Sequence, residues 1–265
     1  MFHLFESKEE KEERLQKKLM QAVFNEDLKA VKRLIKQGAP VSAQDEAGWT
    51  ALHMASYEGF LEIAHLLIDI GAQLDLKNKF EKTPLHMAAS ERNLEVVEAL
   101  IEAGADVTLE TKEGSTALHM AASCGQLHIV KSLVEAGADL LKKNKRGEDA
   151  YSLAAPREIN DIKTWIREYI PLNLLDKEHV TALQVAASRG NLMLAQDLIQ
   201  NGADLLKKNN EGQDAYQIAM KNGHIKIAKL IKEAIKEKMK MMALKKVTPS
   251  AFSSLMKASM QKERE

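Results

Sequence analysis

Apolar positions in the stretch 45–77 fall into two helical bursts with a break between them. Thr50 precedes a short burst carrying Leu52, Ala55 and Ser56, and Gly59 interrupts it. Leu61, Ile63, Ala64, Leu66, Leu67 and Ile68 then form the apolar side of a second burst, which Gly71 stops. A threonine ahead of a helix supplies a hydroxyl for the unpaired N–H groups of the first turn. Glycine supplies the left-handed backbone of a tight turn or a helix end. The pattern therefore predicts a helix–turn–helix unit, with Ala55 and Ala64 small where its helices approach closely. One such pair cannot enclose its own core, so further copies must stack on it.

Those copies are present. Thr50-Ala51-Leu52-His53 returns as Thr83-Pro84-Leu85-His86 and Thr116-Ala117-Leu118-His119. Weaker versions begin at Asp149, Thr181 and Asp214, so the successive spacings are 33, 33, 33, 32 and 33 residues. A second marker keeps the same step: Gly71-Ala72, Gly104-Ala105, Gly137-Ala138 and Gly202-Ala203. The chain from about residue 15 to 235 resembles the ankyrin repeat, whose period is about 33 and whose signature contains T-P-L-H-x-A. The resemblance implies an all-α fold: an ankyrin-repeat solenoid of stacked helix-turn-helix units with β-turn or hairpin fingers, about seven units including the caps.

The units are expected as follows. Residues 1–18 form a charged N-terminal segment and 19–44 a capping repeat, with Met20 in place of the histidine and no preceding turn. Regular repeats span 45–77, 78–110 and 111–143. Residues 144–175 are degenerate: they are one residue short, carry Pro156 and Arg157 at the end of the first helix, and read Ile170-Pro171 in place of Gly-Ala. A bend or local widening is expected there, with Trp165 filling space. Residues 176–208 form another repeat, whose turn has His179 in place of glycine. Residues 209–246 form a C-terminal capping repeat with an extended basic helix, and 247–265 a flexible tail.

Composition narrows the chemistry. Apolar residues make up 45% and charged residues 29%, the balance of a globular chain rather than a disordered one. Lys plus Arg and Asp plus Glu are both 38, so no net positive charge points to specific nucleic-acid binding. One cysteine, Cys124, makes neither an internal disulfide nor a cysteine zinc site, which fits a reducing compartment. No apolar run is long enough for a membrane span or a secretory signal. A soluble, cytoplasmic monomer is expected; a nuclear location or delivery into a host cell by an intracellular bacterium fits the same features.

His53, His86 and His119 are the obvious metal temptation. Stacked helices lie ~8–10 Å apart, and zinc–nitrogen bonds are about 2 Å, so histidines one per repeat cannot share an ion. The resemblance implies instead that each imidazole bonds the turn backbone and ties one repeat to the next. Cys124 with His128 four residues on would be a nucleophile pair, but His128 opens a second helix, and Asn or Arg takes the cysteine's place in other units. No phosphate loop or hydrolase motif occurs. Neither enzyme activity, metal nor cofactor is expected.

A partner protein or peptide is expected on the concave face formed by turns and first helices. Trp49, Tyr57 and Phe80 fall on variable positions of two adjacent units, where the repeat framework requires no aromatic. The bland alternative is that Trp49 and Phe80 pack on one another and only stiffen the turn tips. Glu58, Lys82 and Glu91 are expected as a mixed-charge rim, with a more basic surface beyond, at Arg146, Arg157 and Arg189. Residues 221–265 hold twelve Lys or Arg against four Glu. Lysines interleaved with apolar residues between 226 and 246 suit a membrane surface or calmodulin as well as they suit a solvated cap.

Overall fold

Each regular repeat begins with a capping box. The Thr50 hydroxyl accepts the His53 N–H, and the His53 ring Nδ1 accepts the Thr50 N–H, both at 3.2 Å. Thr83 with His86 and Thr116 with His119 repeat the arrangement. Thr181 with Gln184 and Asp214 with Gln217 make it with an amide. Donors of the first turn are thus satisfied within the helix that owns them.

The computed structural model describes residues 7–154, 160–174 and 181–245. These carry fourteen α-helices and no strand, an all-α array in two units, residues 1–165 and 166–265. In the first unit the first helices are α1 (Lys8–Phe24), α3 (Ala51–Glu58), α5 (Pro84–Glu91), α7 (Ala117–Ser123) and α9 (Ala150–Ala154). The second helices are α2 (Leu28–Lys36), α4 (Leu61–Asp69), α6 (Leu94–Glu102) and α8 (Leu127–Glu135). Each packs on its counterpart in the next repeat, giving two layers. Leu52, Leu67, Leu85, Leu100, Leu118 and Leu133 are fully buried between them. The alanines Ala55, Ala88 and Ala121 are fully buried in these first helices. The second unit holds α11 (Ala182–Arg189), α12 (Leu192–Gln200), α13 (Ala215–Lys221) and α14 (Ile225–Lys245).

Between repeats the chain forms turn fingers. In the first, the Asp45 N–H donates to Trp49 O and the Gly48 N–H to Asp45 O, both at 2.9 Å. The Asp45 carboxylate accepts from the Ala47 and Trp49 N–H groups. Asn78 and Asn144 organise later fingers in the same way. Neighbouring tips are joined: the Lys79 N–H donates to Ala47 O at 3.0 Å, Lys112 to Phe80 O at 3.4 Å and Lys145 to Glu113 O at 3.0 Å. The buried imidazoles complete the link, because Nε2 of His53, His86 and His119 bonds to Lys82 O, Ser115 O and Glu148 O at 3.0–3.2 Å. A carbonyl only accepts, so Nε2 carries a proton, and Nδ1, which accepts the threonine N–H, carries none; each ring is therefore neutral.

Two regions differ from the regular repeat. Helix α1 crosses residue 18: Ser7 and Glu10 form a capping box, and Leu15 and Leu19 are both buried, so the charged segment from Lys8 onward is the first half of the capping helix. In the degenerate repeat, α10 (Asn160–Leu174) is 15 residues long and continues through Ile170 and Pro171, whereas α4, α6, α8 and α12 have nine. Without Gly-Ala nothing stops it at the regular length. Trp165 is half-buried, with Lys131 Nζ 5.9 Å from its ring centre. The expected bend turns on Pro156 and Arg157, which lie outside the described residues, as do His179 and 247–265.

Side chains stand in the left-handed backbone region at three positions, the first of them Glu26 (φ 52°), one period before Gly59. Glu81 (φ 55°) occupies the finger position of Gly48 and Gly114, and Arg92 (φ 72°) the helix-end position of Gly59. A side chain in this conformation costs about 1–2 kcal/mol, partly offset by the roughly 0.5–1 kcal/mol that glycine's freer unfolded chain costs. Arg92→Gly and Glu81→Gly are each expected to raise unfolding stability by about 0.5–1 kcal/mol, read as a higher urea midpoint. A lower midpoint for both would contradict the strain.

Candidate functional site

The finger and the first helix of repeat 45–77 together present two aromatic rings. Trp49 sits just before the helix and Tyr57 near its end, two turns on, so both lie over His53 on one side of α3. The indole packs edge-on against the Tyr57 ring, centres 5.7 Å apart and planes at 72°, and lies 6.1 Å from the imidazole of His53. Trp49 is half-buried, whereas Tyr57 is 39% exposed. Phe80 is at the next fingertip and is 63% exposed. Trp49 therefore pairs with Tyr57, and no Trp49–Phe80 ring contact is found among the described residues; a buried first turn beside Trp49 and a projecting tip at Phe80 separate the two.

Tyr57 is held from outside its own repeat. Asn93 Nδ2, in the following repeat, donates to Ser56 O and Tyr57 O, both at 2.9 Å. These are end carbonyls of α3, which lack helical donors. Gly59 makes room for this clamp: a Cβ there would come within 2.7 Å of Asn93 Oδ1. Asn93 was not legible as a site residue, since its one signal was an amide in the residue before a second helix.

A family model of ankyrin repeats in three copies matches residues 19–111, 70–144, 96–173 and 152–242. The chain belongs to the ankyrin-repeat family. Protein phosphatase 1 regulatory subunit 27 of Homo sapiens is 48% identical over 46 residues, which is 17% of this chain and 30% of that protein. Its Mus musculus counterpart is 46% identical over the same length. A putative ankyrin repeat protein of Rickettsia felis is 38% identical over 56 residues, 21% of this chain and 89% of the other. The chain thus matches only 30% of the length of the two phosphatase subunits. Ankyrin repeats are a protein–protein interaction module.

On the ankyrin face, Glu58 and Glu91 are exposed at the ends of α3 and α5, and Lys82 is half-buried at the base of the second finger. The Lys82 carbonyl serves as acceptor for His53, which fixes its backbone. Arg146 and Arg189 are exposed, on the fourth finger and the last turn of α11; Arg157 lies outside the described residues. Cys124 is half-buried, its Sγ 3.7 Å from Ser90 O, a bond to backbone rather than to a base. Among the described residues no group of His, Cys, Asp or Glu could hold a metal ion, and no helix is long and apolar enough to cross a membrane.

Burial pulls His53, His86 and His119 below the ordinary imidazole range, His86 to about 4. Burial pushes the Asp149 carboxyl, the cap of the degenerate repeat, upward. These four buried groups sit in the capping boxes of the repeats, and each also takes part in a structural hydrogen bond.

Proposed function

We propose that the chain is a non-enzymatic binder, adaptor or competitive inhibitor that holds a protein or peptide on its finger and first-helix face as a monomer. Trp49, Tyr57 and Phe80 supply the anchor, and Glu58, Lys82 and Glu91 the polar rim. The observation that carries this is Phe80, 63% exposed at a fingertip joined to the finger of the Trp49–Tyr57 pair. Rigid aromatics on a scaffold are typical interface anchors. Two relatives are named as regulatory subunits of an enzyme, which is the role of a protein that acts by binding.

A second reading rests on α14. Lys226, Lys229, Lys232, Lys236 and Lys240 are all exposed and follow one side of the helix, away from buried Ile227, Ala228 and Ile231. None has an ion pair among the described residues, and Met239 beside them is 66% exposed. That ridge suits an anionic membrane surface or the acidic groove of calmodulin through residues 226–246.

The test uses the full chain as bait beside a folded Trp49→Ala/Tyr57→Ala/Phe80→Ala variant. Loss of a specific captured protein, by roughly 30-fold in affinity or more for about 2 kcal/mol per anchor, is the expected result. Identical captures would move the site off these aromatics, and capture abolished only by salt would favour α14.

A further inference from the structure

The row of joined fingertips has an open end. Lys79, Lys112 and Lys145 each turn a backbone N–H toward the finger before and donate to its carbonyl. One period earlier the same donor is the N–H of Glu46, and no finger precedes it. The chain positions where one would stand belong to α1, a continuous helix from Lys8 to Phe24. The Glu46 N–H has no protein acceptor among the described residues.

Between α1 and this first finger lies a groove of about 690 Å³. Its apolar lining is Met20 and Phe24 from α1, Ala47 from the fingertip and Met54 from α3; Phe24 is 60% exposed. Its charged rim is Glu13, Lys17, Asp45 and Glu46. Lys17 is taken by Glu13 at 2.6 Å, and one Asp45 oxygen by two finger N–H groups. Three carboxylates thus face one ammonium, and the Glu46 carboxylate has no ion pair among the described residues.

We propose that this groove takes an extended peptide segment of the partner, which gives a backbone carbonyl to the Glu46 N–H. A large apolar side chain of the peptide seats among Met20, Phe24 and Met54, and an adjacent Lys or Arg meets Glu13 and Glu46. Three separate observations converge on that chemistry: an unfilled place in a hydrogen-bonded ladder, a partly apolar groove large enough for a short peptide segment and an excess of negative charge at its rim. The inference deepens the proposed binding role by giving the partner's chemistry, and rests on it; the fingertip bearing Glu46 and Ala47 belongs to the finger that carries Trp49.

The test is selection of random displayed peptides on the full-length protein, followed by affinity measurement on variants. Glu46 is the second residue of a turn closed by the Gly48 N–H to Asp45 O, a position that proline favours. Glu46→Pro therefore removes the donor while keeping the turn; Glu46→Gln keeps the donor and removes the charge, and Phe24→Ser empties the apolar wall. Selected peptides with a large apolar residue next to Lys or Arg, weakened about tenfold or more by each of Glu46→Pro and Phe24→Ser, are expected, with a smaller loss for Glu46→Gln. Peptides that ignore these substitutions and depend on Trp49 and Tyr57 would overturn the groove and leave the aromatic site standing. Selection of no peptide at all would also overturn it, while the capture experiment decides the aromatic site on its own.

Discussion

Acidification from pH 7 to pH 4 is expected to weaken the fold steeply, and His86→Gln is expected to remove much of that loss. In the folded protein the His86 ring accepts the Thr83 N–H on Nδ1 at 3.2 Å and bonds Ser115 O through Nε2 at 3.2 Å. Burial, first of all, holds its pKa down to about 4 against 6.5 for the free ring. Between those values the unfolded chain binds the extra proton and the folded one does not. The stability from neutral His86 is whole above pH 6.5 and is lost as pH falls toward 4, on the order of 3 kcal/mol. His53 and His119 are shifted in the same direction for the same first cause. Buried Asp149 works the other way in the acid range, since its raised pKa favours the protonated carboxyl, and it offsets part of the loss.

Glutamine is the informative replacement because the protein already uses it. Gln184 accepts the Thr181 N–H at 2.7 Å and donates to Gln213 O at 3.0 Å and Lys207 O at 2.8 Å, with nothing to titrate. Urea midpoints measured at several pH values are expected to agree within about 1 kcal/mol at pH 7, and to fall less in the variant toward pH 4. Parallel slopes for the two proteins would place the acid sensitivity elsewhere.

A comparable loss at neutral pH is expected from Leu85→Ala. Leu85 is 1% exposed in α5, between repeats on both sides, and deleting its side chain leaves a cavity worth about 2–5 kcal/mol. Phe80→Ala, five residues earlier and 63% exposed, is expected to change stability by no more than about 0.5 kcal/mol. Denaturant curves for the pair would show whether the exposed ring is held for folding or left for binding. A loss for Phe80→Ala as large as for Leu85→Ala would mean the fingertip is a structural element.

Much of this architecture is legible in sequence because its devices are local. A threonine three residues before a histidine makes a capping box, and a glycine at a fixed step ends a helix; both recur every 33 residues. The imidazole's bond to the next finger followed from family resemblance and is found at all three histidines. What was not legible depends on choices between neighbours. Trp49 had Phe80 and Tyr57 within plausible reach, and the side of α3 it shares with Tyr57 decided the pairing. The N-terminal groove arises because α1 continues as helix where the period would place a finger, and the charged run Lys8–Lys18 reads equally well as a solvated segment. Nothing in Ile170-Pro171 announces how far α10 runs once its stop signal is gone.

The Asn93 clamp bears on how the site would respond to force. Two hydrogen bonds from one repeat hold the end of the helix that carries Tyr57 in the repeat before it. A partner gripping Tyr57 is thereby fastened to both. Tension applied through that partner is shared between two helix pairs and their common buried layer, so the anchor yields only when both are pulled apart.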